Sequence, residues 1–193
     1  MKGPETQKAE ERRKRLPIYT FFGEYMGGKG LDIGYRGSVT DNAEPVLPDA
    51  VGVDRDYPGY NGKVLPFPDE SQDYVYSSHC LEHIKDSLAA IKEWFRVVKT
   101  GGYLIITVPH RDLYEKRLTR PSKWNPGHRK YYTPAELLLD IEHTLETNSY
   151  RVRYLQDCDE GYDYMIGPDV HPIGEYQIEC VIQKIKKPEW SLA

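Results

Sequence analysis

The sequence predicts an α/β fold in which a mostly parallel sheet is built from short apolar strands. Strands are predicted at 31–33 and 51–53, where brief apolar runs end in glycine and in a carboxylate. A third is predicted at 73–77, and a fourth, at 103–108, is apolar enough to be buried on both faces. The helix predicted between these two, over 86–98, completes a crossover that is typical of parallel sheets.

The N-terminal half is predicted to lack ordinary crossover helices. Residues 17–28 carry apolar and aromatic side chains, which favour a short helix or turn packed on the sheet. Residues 35–50 and 55–72 are rich in proline and glycine and show no helical periodicity, so we expect trimmed, irregular connections there. A short strand is predicted inside the second connection, at 63–65.

The C-terminal half carries clearer signals for helices and turns. Asp86 can cap the start of the helix predicted over 86–98. Thr133-Pro134-Ala135-Glu136 is a capping box that opens the next helix, with proline in its first turn. Alternating residues at 150–155 and 176–184 predict an antiparallel hairpin at the end of the sheet. Residues 109–133 form a long polar loop, and such loops in compact domains are usually functional.

Length and charge indicate one globular domain. The chain has 193 residues and a formal net charge of −4, which predicts a substantial core and argues against generic nucleic-acid binding. Residues 1–16 are mostly charged, so we expect a tail or arm there, followed by a single domain over 17–193. The tail is expected to be solvated, with a lid or a partner-binding arm as the alternative.

The cysteines and the hydropathy pattern predict a cytoplasmic protein. The three cysteines, Cys80, Cys158 and Cys180, are too few and too widely spaced for a disulfide framework or a zinc motif. No apolar run reaches the length of a membrane span, and the N-terminus is too polar for a secretory signal.

The ends of the first two predicted strands carry the residues that a nucleoside-containing cofactor needs. Gly34 allows a ligand to approach the backbone, and Asp54, at the tip of the next strand, can accept hydrogen bonds from two ribose hydroxyls. Arg36 interrupts the G-x-G-x-x-G pattern of dinucleotide-binding turns, which argues against NAD.

Four blocks occur in order along residues 29–110, and their order and spacing are more specific than any block alone. They are Leu31-Asp32-Ile33-Gly34, Gly52-Val53-Asp54, Leu65 to Asp69 with Asp73 to Ile84, and Glu93 to Lys99 with Gly101-Gly102 and Val108-Pro109-His110. This series resembles class I S-adenosylmethionine-dependent methyltransferases of the type 11 branch. The resemblance implies a three-layer Rossmann-like sandwich, S-adenosylmethionine as the cofactor and methyl transfer as the activity.

The resemblance also implies which residues hold the cofactor. Asp32 and the turn at Gly34 would face its methionine moiety, Asp54 its ribose, and the segment 63–65 its adenine. The end of the third predicted strand would lie near the transferred methyl group. Arg36 stands where the family usually has a second glycine. The predicted cofactor-binding residues are Asp32, Ile33, Gly34, Tyr35, Arg36, Gly37, Asp54, Arg55, Val64, Leu65, Ser77, Ser78 and His79.

Three histidines are candidates for the general base that a hydroxyl acceptor would need. Histidine titrates near neutral pH and suits this role. His79 and His110 follow predicted strands at the mouth of the cleft, and His128 lies in the long loop. His83 is expected to be structural. His79, Glu82, His83 and His110 could gather an ion, but no zinc-protease pattern is present, and no metal is predicted.

The long loop also bears on the acceptor. Seven cations between 111 and 130 oppose two acids, which favours either a solvated loop or recognition of an anionic acceptor such as a phosphate or a nucleotide-linked sugar. Trp124 to His128 and Tyr131 to Pro134 are similar to methyltransferases from surface-glycan gene clusters. We therefore predict O-methylation of a sugar, glycan or other small acceptor. The alternatives are a nucleic-acid or protein methyltransferase and a non-catalytic binding module.

Overall fold

The computed structural model describes residues 22–36 and 42–190, together with Gln7 and Glu11. The predicted arm over 1–16 lies outside the described residues, apart from those two, and so does Gly37. The strands are β1 (Gly30–Ile33), β2 (Val51–Val53), β3 (Gln72–Ser78), β4 (Val98–Pro109), β5 (Tyr150–Cys158) and β6 (Gln177–Lys184). The helices are α1 (Phe22–Tyr25), α2 (Ser87–Val97) and α3 (Pro134–Thr144), with a 3₁₀ turn at Leu81–His83 and a π-helical turn at Arg111–Glu115.

The strands form one mixed sheet in the order β2-β1-β3-β4-β6-β5. The first four strands pair in parallel, while β6 is antiparallel to both β4 and β5. The predicted α/β fold with a C-terminal antiparallel hairpin is therefore confirmed. Within the described part of the chain, every helix is too short or too polar to cross a membrane.

Local sequence signals explain where the two long helices begin. The Asp86 side chain accepts a hydrogen bond from the Ala89 N–H and caps α2. Thr133 and Glu136 form the predicted capping box at the start of α3. The apolar faces of both helices are buried against one face of the sheet, in a core that includes Ile91, Trp94, Leu137, Ile141, Leu104, Ile106 and Ile178.

The opposite face of the sheet has a smaller core. Tyr74 and Tyr76 of β3 lie there, buried with Ile105 of β4. Among the described residues, α1 and the segment 42–50 contribute Tyr25, Met26, Val46 and Ala50 to this core. The tyrosine rings are fully buried, and burial raises the pKa of Tyr74 above its ordinary value.

The trimmed connections are confirmed where they are described. The crossover from β2 to β3, residues 54–71, contains turns and no helix, and residues 42–50 have none either. The strand predicted at 63–65 is wrong. The N–H of Val64 donates to the Asn61 side chain, and the N–H of Leu65 donates to Glu93, so neither is available to a neighbouring strand.

Two charged residues of α2 anchor the crossover in place of a helix. Arg96 donates hydrogen bonds to the carbonyl oxygens of Leu65 and Phe67 and pairs with Asp69. Glu93 accepts from Leu65 N–H at 2.7 Å and forms a two-point pair with Arg96. Arg96 holds the pKa of Glu93 below its ordinary value, so the carboxylate favours the folded state in its charged form.

We expect Glu93→Gln to lower the free energy of unfolding at pH 7 by about 1–3 kcal/mol, because the charge-assisted pair with Arg96 is lost. The folded pKa of Glu93 is depressed, so the loss should shrink as the pH falls through that pKa, below its usual value of 4.5. Urea unfolding at neutral and acidic pH measures both effects. Asp69→Asn removes an exposed partner of the same arginine and should cost little. Equal losses in the two variants would contradict this account.

Candidate functional site

A cavity of about 570 Å³ lies where β1, β2 and β3 end. Because these strands are parallel, their carboxyl ends meet at one edge of the sheet, where ligands of open α/β sheets bind. The turns after the three strands supply most of its wall, and the helix-free crossover supplies the rest. The lining residues are Ile33, Gly34, Arg36, Val53, Asp54, Arg55, Tyr60, Gly62, His79, Cys80, His83, Ile84 and Lys85.

The turn after β1 requires glycine at position 34. Gly34 has a φ of +75°, and its N–H donates to the Val53 carbonyl at 2.8 Å. A Cβ at this position would lie 2.6 Å from the sulfur of Cys80, so a side chain would separate the turns after β1 and β3. Burial raises the pKa of the Cys80 thiol to about 12, which keeps it protonated and unreactive at neutral pH.

Arg36 closes one side of the cavity. Its Nη2 lies 2.8 Å from Asp56 Oδ2, and its Nε donates to the Tyr35 hydroxyl at 3.2 Å. The ion pair joins the turns that follow β1 and β2. It holds the pKa of the Asp56 carboxyl below its ordinary value. The arginine that replaces a glycine of the family pattern is therefore part of the cavity rim.

Six of the predicted cofactor-binding residues line the cavity: Ile33, Gly34, Arg36, Asp54, Arg55 and His79. The carboxylate of Asp54 accepts from the N–H of Arg55 at 2.7 Å, which orients it at the end of β2. Their roles toward a cofactor stay predictions.

The other predicted cofactor residues that the structure describes do not line the cavity. Asp32 is buried and accepts from the Val46 N–H at 2.6 Å. Tyr35 packs its ring against Gly52, Val64 is exposed, and Leu65 belongs to the main core. The serines at the end of β3, Ser77 and Ser78, are buried and do not line the cavity. Gly37 lies outside the described residues.

The structure separates the three candidate histidines. His79 lines the cavity, in a left-handed backbone conformation with a φ of +51°. His110 accepts from the Asp112 N–H through Nδ1, and its Nε2 lies 3.3 Å from Asp157, so both ring nitrogens serve the fold.

His128 and His83 differ from their predictions in opposite ways. The candidate base, His128, lies away from the cavity, and His83 lies in the cavity wall. His128 is buried, does not line the cavity, and has its Nδ1 2.5 Å from Glu115 Oε1. His83, expected to be structural, lines the cavity instead. Burial and the neighbouring His128 lower the pKa of His83, so its imidazole is neutral at pH 7.

Besides His83, the cavity residues that sequence reasoning missed are Val53, Tyr60, Gly62, Cys80, Ile84 and Lys85. Tyr60 and Gly62 belong to the helix-free crossover, where no periodicity marks a buried face. Cys80, Ile84 and Lys85 flank the 3₁₀ turn after β3. Proximity to the strand end, and to His79, is the signal that could have included them.

The basic loop uses most of its charge within the protein. Arg111 pairs with Asp112 and Glu136, Lys123 with Asp169, and Lys130 with Asp140. Lys116 donates to three carbonyl oxygens of the segment 166–170. These contacts favour the structural interpretation of the loop over direct anion recognition.

Comparisons with known proteins identify the family. The family described as methyltransferase domain matches residues 7–144, so the chain belongs to it. The resemblance to class I methyltransferases is confirmed, and S-adenosylmethionine is the cofactor that this family implies. The likeness to members from surface-glycan clusters stays a prediction.

Two relatives and one solved structure illustrate the similarity. A Mycolicibacterium smegmatis protein whose name describes an S-adenosylmethionine-dependent methyltransferase is 33% identical over 88 residues, 46% of this chain. The ubiquinone/menaquinone biosynthesis C-methyltransferase UbiE of Xanthomonas oryzae is 47% identical over 47 residues, 24% of this chain. The matches span 32% and 19% of those proteins, a third of their length or less.

The solved structure extends the likeness over most of the fold. It is the complex of the Haloferax volcanii Trm112 methyltransferase activator with a methyltransferase. The similarity covers 96% of this chain and 92% of that one, with a TM-score of 0.58 and 13% identity. At that identity the likeness shows the fold alone.

We expect Gly34→Ala to lower the free energy of unfolding by about 1–3 kcal/mol more than Gly62→Ala does. Both glycines line the cavity at a φ near +80°, but only a Cβ at Gly34 meets another atom within 4 Å. The comparison therefore isolates the contact with Cys80 from backbone strain. Chemical unfolding of both variants measures it, and equal losses would show that the two turns are not closely packed.

Proposed function

We propose that the protein transfers a methyl group from S-adenosylmethionine to a hydroxyl of a small acceptor. The observation that carries this proposal is the cavity at the ends of β1, β2 and β3, with Asp54 and the Gly34 turn in its wall. Its volume lies within the range of about 300–1,000 Å³ that is usual for sites of small ligands and cofactors. The family supplies the identity of the cofactor.

The residues present fit this cofactor. Asp54 is half-buried at the tip of β2, where its carboxylate can accept hydrogen bonds from the two ribose hydroxyls. The Gly34 turn, fixed by its bond to the Val53 carbonyl, leaves backbone rather than side chain at the cavity wall. Tyr60 and Gly62 belong to the crossover and line the cavity. In this proposal they border the adenine, the role that the sequence predicts for the segment 63–65.

His79 is the general base in this proposal. It is the histidine of the three candidates that lines the cavity, and its N–H bond to the Thr107 carbonyl fixes it to β4. When bound, the cofactor would supply an electrophilic methyl carbon for the acceptor oxygen, with its sulfur as the leaving group. The imidazole takes the hydroxyl proton, and the cavity walls hold the acceptor oxygen in line.

The charges at the cavity favour an anionic acceptor, such as a sugar phosphate or a nucleotide-linked sugar. Arg55 and Lys85 are exposed and line the cavity, and neither forms an ion pair with another described residue. Arginine and lysine are the usual ligands of phosphate.

The acceptor atom does not follow from the family, because the named relatives include a C-methyltransferase. We propose a hydroxyl as the acceptor because a histidine that can act as a base lies in the site. We also propose the cytoplasm as the compartment, as the few and widely spaced cysteines predict.

Titration with S-adenosylmethionine and S-adenosylhomocysteine by calorimetry tests the cofactor site. We expect saturable binding by the full chain, and a Kd about 10-fold or more higher for Asp54→Ala, because a charge-assisted hydrogen bond is lost. Asp49→Ala, which removes an exposed carboxylate that does not line the cavity, is the matched control and should bind nearly as wild type. No binding to either ligand, or equal loss in both variants, would overturn the assignment.

Release of S-adenosylhomocysteine, measured with a panel of sugar phosphates and nucleotide sugars, tests the reaction. We expect His79→Gln to lower kcat by about 100-fold or more, because proton removal from the hydroxyl is lost. His143→Gln, on the exposed side of α3, should leave kcat unchanged. A full rate in His79→Gln would remove this residue from the mechanism.

A further inference from the structure

Two imidazoles and a carboxylate gather against the inner side of the cavity. Glu82 and His83 come from the 3₁₀ turn after β3, and His128 comes from the long loop before α3. The Nε2 atoms of His83 and His128 lie 3.8 Å and 3.9 Å from Glu82 Oε1. One ligand atom from each of the three residues lies within 4.8 Å of the others. Glu82 is fully buried and His128 nearly so.

These distances are too long for hydrogen bonds and close to those between ligands of a shared ion. Zinc binds imidazole nitrogen and carboxylate oxygen at about 2.0–2.2 Å, which places tetrahedral ligands about 3.3–3.6 Å apart. Small side-chain shifts bring the three atoms into that range. We propose that Glu82, His83 and His128 bind one divalent transition-metal ion, with Zn²⁺ as the natural probe.

The surroundings of the two histidines support this proposal. The Nδ1 of His128 is held 2.5 Å from the buried Glu115 carboxylate. The Nδ1 of His83 faces Gly127, where a Cβ would come within 3.0 Å of it. Both rings thus turn Nδ1 toward these neighbours and Nε2 toward Glu82. A carboxylate or backbone partner on the far nitrogen is the usual arrangement around metal-bound histidine.

The backbone holds the two segments together. The carbonyl oxygen of Glu82 accepts from the N–H of Arg129 at 2.6 Å and from the N–H of Lys130 at 3.2 Å. These bonds clamp the loop that carries His128 onto the turn that carries Glu82 and His83. The ligand set is therefore positioned by the fold, which lowers the cost of assembling it around an ion.

Three protein ligands leave an open coordination position, as in catalytic rather than structural zinc sites. His83 and His79 line the cavity, and Nδ1 of His79 is 3.6 Å from Glu82 Oε1, so the open position is reached from the cavity. The role inferred for the ion rests on the proposed methyl transfer. An acceptor hydroxyl that reached this position would be polarised by the ion.

Metal titration of the full chain tests the site directly. After chelator treatment, we expect Zn²⁺ to bind one ion per chain in calorimetry and Co²⁺ to give visible absorption typical of tetrahedral coordination. His83→Ala and His128→Ala should abolish that absorption. Glu115→Gln should weaken Zn²⁺ binding about 10–100-fold, because it loosens a ligand without removing one. His143→Ala, which removes an exposed imidazole from α3, should bind as wild type.

Thermal unfolding guards against misfolded variants. Zn²⁺ should raise the Tm of the wild type and of His143→Ala, and it should leave the Tm of His83→Ala unchanged while that variant still unfolds cooperatively. If the ligand variants fail to fold, the graded loss in Glu115→Gln decides the question. Absence of Zn²⁺ binding by the wild type, or binding that survives in His83→Ala and Glu115→Gln alike, would overturn the proposal.

Cofactor titration of the metal-free protein separates this proposal from the proposed function. Binding of S-adenosylhomocysteine without any Zn²⁺ binding would overturn the metal site and leave the methyl-transfer proposal standing. Binding of Zn²⁺ without binding of S-adenosylmethionine or S-adenosylhomocysteine would overturn the methyl-transfer proposal and leave the metal site standing.

Discussion

The connection from β2 to β3 has no helix to satisfy its backbone groups, and two side chains of α2 take over that task. Arg96 bonds two carbonyl oxygens of the connection, and Glu93 bonds an N–H. Buried backbone groups without partners would otherwise destabilise the fold. The same pair fixes the path of the chain next to Tyr60 and Gly62, which belong to the cavity wall. The shape of the site therefore depends on an ion pair that lies outside it.

Elements whose signals are local could be predicted from the sequence. The capping box of α3 and the cap of α2 are complete within four residues, and both helices begin where predicted. The strand predicted at 63–65 failed because its donors bond to Asn61 and Glu93, the latter on a distant helix. β4 begins at Val98, earlier than the start predicted at 103. Val98 pairs with Gln72 ahead of an irregularity in the ladder, and no pattern within β4 reveals this pairing.

The same distinction between local signals and contacts from distant segments applies to the candidate site. Gly34, Asp54 and His79 follow strands directly, so the position of the strand ends is enough to place them at the cavity. His110 also follows a strand directly, but Asp112 and Asp157 hold its ring away from the cavity. His128 could not be placed, because its contact with Glu115 depends on how the long loop folds back on itself. The same limit hid the cluster around Glu82. Its third member, His128, comes from a loop far along the chain, whereas the sequence groups Glu82 and His83 with His79 and His110 instead.

The position of β6 has a consequence for how the molecule is assembled. It is the last of the six described strands along the chain, yet it lies inside the sheet, and most of its residues are fully buried. The edge of β4 that receives it stays unpaired until residues 177–184 have been synthesised, and β5 reaches the sheet only through it. Pairing over such a long sequence separation is slow, since the loop-closure entropy precedes the contacts. Until that pairing forms, the newly made chain has an open, strongly apolar strand edge, and that interval is when it most needs protection from aggregation.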